Sequence, residues 1–157
     1  MANLFGSFKT HHAIVAMALL LVAGVPFRVD AADLPEKPAP MALSRIMQDL
    51  GTDMQGIAGS IAREDWAAVA ERAARIADHP QPPLAEKLRI LAFVGKDTGR
   101  FRGHDQQTHE AAQQLQRVAM RRDGAAVITA FASLQSSCLA CHQNFRQSFQ
   151  EHFHAQR

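Results

Sequence analysis

The sequence predicts an all-α protein, an antiparallel four-helix bundle, and three observations predict it. Apolar residues recur at alternating steps of three and four along most of the chain, as on the buried seam of packed helices. Breaks rich in proline, glycine or charge separate these runs at helical lengths. No stretch shows the apolar–polar alternation or the Asn-Gly turns of a sheet.

The N-terminal MANLFGSFKTHHAIVAMALLLVAGVPFRVDAAD has a weakly basic start at Lys9, the apolar run AIVAMALLLVAGV and small residues in VDAA. The run is too short to span a bilayer comfortably, and the layout is that of a secretory signal peptide. Residues 1–31 are expected to be removed after Ala31, leaving a chain from Ala32 that is not an integral membrane protein. ADLPEKPAP, residues 32–40, holds three prolines and reads as an extended, flexible leader. The bundle domain is expected over 41–157.

Leu43, Met47, Leu50, Met54, Ile57 and Ile61 form the seam of a first helix. REDW follows, with Asp65 placed to cap a second helix that carries Trp66, Val69, Ala70, Ala73 and Ile76. DHPQPP, residues 78–83, stops it. LAEKLRILAFV reads as a short helix with Leu84, Leu88, Leu91 and Val94 inward, and GKDTG bends the chain. A long helix with Phe101, Thr108, Ala112, Leu115 and Val118 then runs to about Arg122, where RRDG turns. The last helix starts near Gly124, with Val127, Phe131, Leu134, Cys138, Cys141 and Phe145 in register.

Lys and Arg total 17 against 15 Asp and Glu, a net charge of +2 without a dense basic patch, which argues against a nucleic-acid binder. No acid–base pair or nucleophilic constellation has convincing spacing, so no enzymatic activity is expected. Chemistry concentrates instead in SSCLACHQNFRQSF, which holds both cysteines of the chain, Cys138 and Cys141, with His142 directly after them.

Three readings compete for C-x-x-C-H. A dithiol redox centre normally comes with a βαβ context, which is missing. Zinc usually wants a second pair of ligands, and no other cysteine exists. Covalent attachment of haem c is the leading reading. Thiols three apart are neighbours on a helix and reach two vinyl groups of one porphyrin. His142, four residues after Cys138, can then stand under the iron. Arg146, one turn further, is a candidate for a haem propionate. Phe101, Phe131 and Phe145 are candidates for the apolar walls. His104 and His109 read as solvated or core-edge residues, His79 as a loop residue, and His152 and His154 as part of a frayed end.

With C-x-x-C-H in the last helix followed by Phe-Arg, here CLACHQNFR, the chain resembles the cytochrome c′ family of class II c-type cytochromes. LSRIMQDLGTDMQGIAG is similar to the first helix of its low-spin, methionine-ligated branch. The resemblance implies thioether bonds at Cys138 and Cys141 and His142 as fifth iron ligand. By its position in IMQDLG, Met47 corresponds to the sixth ligand, with Met54 and Met41 next in line. It implies a periplasmic mono-haem carrier of single electrons, working with redox partner proteins, and a possible homodimer through the first two helices. The alternative is a five-coordinate protein that binds nitric oxide or carbon monoxide. The chain departs from the family in a shorter second helix and in the GKDTG break.

Overall fold

Helices α1 (Ala42–Ala62), α2 (Trp66–Ala77), α3 (Leu84–Val94), α4 (Thr98–Met120) and α5 (Gly124–His154) account for most of residues 41–154, which the computed structural model describes. The expected signal peptide and leader lie outside the described residues, as do residues 155–157. The 3₁₀ turn Gly95–Asp97 joins α3 to α4, and there is no strand among the described residues. Gly95 takes φ +57°, a conformation open to glycine without a Cβ clash, and this bends the chain between the two helices.

The bundle consists of α1, α2, α4 and α5. Its two tight turns use one device. Arg63-Glu64-Asp65 and Arg121-Arg122-Asp123 each put the middle residue at positive φ, 55° for Glu64 and 57° for Arg122. Each then caps the next helix with aspartate. Asp65 accepts from the Ala68 N–H at 3.1 Å, and Asp123 from the Ala126 N–H at 3.0 Å. Such short turns make α1–α2 and α4–α5 antiparallel neighbours. Trp66, half-buried at the start of α2, lies over Gly124 at the start of α5, where an added Cβ would sit 3.4 Å from its ring.

Packing around the bundle is uneven. α4 packs along both α5 and α2, and α1 packs on α2, while α1 and α5 touch only lightly. The larger core is built from Ile57, Val69, Ile76, Leu115, Val127 and Leu134 with alanines between them. Asp53 of α1 ties the α1–α2 side, accepting from Arg72 at 3.1 Å and from Arg75 at 2.5 Å. Glycine at position 56 leaves room for the Arg72 guanidinium beside it. By length and composition α5 is apolar enough to cross a membrane, yet Val127, Ala130, Leu134 and Phe145 on one face are buried in the bundle.

α3 corrects one expectation. Leu84 and Leu88 are 73% and 59% exposed, and Ile90 and Val94 are the buried residues. The helix has apolar residues on two faces, and Glu86 selects the inner one. Its carboxylate accepts from the backbone N–H groups of Ala42 at 2.9 Å and Leu43 at 2.8 Å, capping α1 from another element. Ile90 and Val94 follow Glu86 on that face. Glu86→Ala leaves two donors of α1 uncapped and is expected to cost about 1 kcal/mol. In a thermal melt this reads as a fall in Tm of about 4 °C. Glu86→Gln, which keeps an acceptor, should lose less. An unchanged Tm for Glu86→Ala would show that the cap contributes nothing.

Candidate functional site

Cys138 and Cys141 lie on the inner face of α5, both half-buried and neither in a disulfide. They meet different cores. Cys138 packs against the larger one. Cys141 packs against a second, smaller cluster of Ile90, Val94 and Phe145, joined by Met41, Leu43, Phe93, Phe101 and Phe149. The apolar interior therefore divides at the two thiols. Burial pushes the Cys138 thiol up, and pushes Cys141 up to about 11, with the charges of Asp105 and Cys138 adding to the effect. Neither is poised as a thiolate near neutral pH, as a dithiol redox centre would require.

His142 is exposed, on the flank of α5 turned away from α4. Ser137 marks the α4 side through its hydroxyl contact with Thr108 at 3.2 Å. Five residues on, His142 lies about 140° around the helix from it. Partial loss of solvent around the ring, with the positive charge of Arg146 second, holds the His142 pKa below the usual histidine value. Its imidazole thus stays neutral, with a free lone pair, further into acid.

Met47 lies on α1. Asp53 and Gly56 mark the side that faces α2, and Met47 lies about 120° and 180° around the helix from them. This is the flank of α1 away from α2. The methionine is 42% exposed while its neighbour Ile46 is buried, so it stands at the rim of the α1 seam rather than in its centre. Met54 is half-buried against the larger core. Met41 belongs to the smaller cluster.

The aromatic residues separate in the same way. Phe101 meets Phe145 edge-on at 5.3 Å and stacks on Phe149 at 5.6 Å, beside Cys141. Phe131 packs with Cys138 on the larger core. Arg146 is exposed. The guanidinium of Arg100 lies over the Phe145 ring at 5.5 Å, a contact the sequence pattern does not reveal. α5 continues to His154 rather than fraying early, because His152 stacks on Phe93 at 4.2 Å.

His104 is the outlier. It meets Phe145 edge-on at 6.0 Å, and both ring nitrogens are buried without a hydrogen-bond partner among the described residues. Native interiors rarely leave such groups unpaired. An unpaired imidazole and a core divided at two thiols fit a large planar group with polar edges, as haem is. A groove of about 690 Å³ lies elsewhere, between α1 and α2, and Asp49, Asp53, Glu71 and Arg75 in its lining suit no porphyrin.

Compared with known protein families, residues 42–146 match the family model described as Cytochrome C′. No curated protein matches the chain at a significant level.

Proposed function

Because the chain belongs to the cytochrome c′ family, we propose that it is an exported mono-haem c-type cytochrome that carries single electrons, with its iron held by His142 and Met47. The family implies a haem c cofactor, and haem c supplies, when bound, an iron that alternates between ferric and ferrous. The observation that carries the reading is the family match over residues 42–146, with Cys138 and Cys141 on the inner face of α5 and His142 directly after them.

Each residue then has a task. The thiols of Cys138 and Cys141, one turn apart, would hold the group by two thioether bonds. His142 offers a neutral imidazole, the form that binds a metal. The Met47 thioether is soft and suits the ferrous state, which raises the potential. Phe101 and Phe145 on one side and Phe131 on the other exclude water. Arg146, one turn beyond His142, offers a bidentate donor to a propionate. Held by both His142 and Met47, the group would need little rearrangement on electron transfer.

One observation favours the rival reading, a five-coordinate protein for nitric oxide or carbon monoxide: Met47 is 42% exposed, on a helix that touches α5 only lightly.

Export and haem attachment are tested together by intact mass. Protein recovered from the periplasm of cells competent in haem attachment should begin at Ala32 and exceed its polypeptide mass by one haem. A mass equal to the polypeptide alone, or membrane-bound protein that retains residue 1, would refute this account of the cofactor or of the export segment respectively.

A further inference from the structure

His79, in the loop after α2, and Asp105 and His109, one turn apart on α4, converge outside the thiol site, with one donor atom from each within 4.8 Å of the other two. The outer nitrogen of each imidazole is committed to the backbone. His79 Nδ1 contacts the Pro80 carbonyl at 3.0 Å, and His109 Nδ1 contacts the Ala77 carbonyl. A carbonyl only accepts, so both Nδ1 atoms carry the proton. In the neutral rings both Nε2 atoms then present lone pairs, and both face Asp105.

Two lone pairs and a carboxylate turned toward one another repel unless positive charge lies between them. A proton on one ring is the simplest source, and the Asp105 contact raises the His79 pKa; two features disfavour protonating both rings. The ring centroids are 4.7 Å apart, so two imidazolium charges would lie close together. The approaches to Asp105 are 3.5 Å from His79 and 3.6 Å from His109, longer than the usual charge-assisted bond of about 2.7–2.9 Å. They are close to another length. Ligand atoms about 2.0–2.1 Å from a tetrahedral zinc ion lie about 3.3–3.4 Å apart.

We propose that His79, Asp105 and His109 form a second metal site, for a divalent cation of the zinc class, separate from the haem. Two imidazoles and one carboxylate are the borderline N/O set that such ions prefer. The Ala77 and Pro80 carbonyls act as the outer hydrogen-bond partners that metal-bound histidines usually have. The His79 side chain is 8% exposed and that of Asp105 is 45% exposed, so the site is anchored inside and open outside, with a fourth position for water. The bound ion would clamp the proline-rich α2–α3 loop onto α4.

The test is a zinc titration of the purified, chelator-treated holoprotein, followed by competition with a chromophoric chelator and by thermal melting. The expected result is one saturable zinc per chain and a rise in Tm. Asp105→Asn and His109→Gln should each weaken binding by at least about tenfold. Both variants should keep the haem spectrum, which shows that they fold. Failure to bind zinc, or variants that bind as the unmodified protein does, would overturn the proposal. A change in haem absorption on zinc addition that persists in Asp105→Asn and His109→Gln would also overturn it, because the ion would then be reaching the thiol site. The haem proposal does not depend on any of these outcomes.

Discussion

Replacing Cys138 and Cys141 together by alanine yields a protein that holds no covalent haem, and its colour, if any, is lost on acid-acetone extraction. The loss reaches beyond the pigment. The two cysteines stand where the larger core ends and the smaller aromatic cluster begins. If haem joins these clusters, its removal leaves a void much larger than a deleted side chain. Single large-to-small core substitutions already cost about 2–5 kcal/mol, and the double variant should lose at least that much. Chemical denaturation of the variant against the unmodified holoprotein measures the difference. A colourless variant as stable as the holoprotein would mean that the two cores close on each other and that haem is not part of the fold.

Met47→Ala keeps the haem attached and opens one coordination position. Met47 stands at the rim of the α1 seam, 42% exposed, so its truncation costs little packing. Its loss should be read at the iron: the charge-transfer absorption of a sulfur–ferric bond disappears, the reduced protein binds carbon monoxide readily and the reduction potential falls. Met54→Ala is the control. Met54 is half-buried against the larger core, so its loss should cost less than the ~2–5 kcal/mol of a fully buried site and leave the spectrum unchanged. If Met54→Ala loses the sulfur band and Met47→Ala keeps it, the ligand is Met54.

The helix limits were legible because their signals are local. Asp65 caps where the sequence places it, RRDG turns where expected, and the prolines of 78–83 and the glycine of GKDTG break the chain where expected. C-x-x-C-H and its register on the last helix were legible for the same reason. What escaped depends on partners distant in sequence. Leu84 and Leu88 looked inward until Glu86 reached across to the start of α1. His152 looked frayed until Phe93 stacked on it. The i,i+4 pair Asp105 and His109 is visible in the sequence, but nothing there tells that the loop delivers His79 to it. The burial of His104 and the light packing of α1 on α5 arise only from the assembled bundle.

The most direct test of the His142/Met47 assignment is the absorption spectrum of the unmodified protein, oxidised and reduced, before and after addition of carbon monoxide. The account predicts a six-coordinate, low-spin spectrum in both oxidation states, a sulfur–ferric charge-transfer band in the oxidised form, and no rapid response of the reduced form to the gas. Rapid carbon monoxide binding by a high-spin, five-coordinate protein would contradict it, leaving Met47 off the iron and gas binding in place of electron transfer.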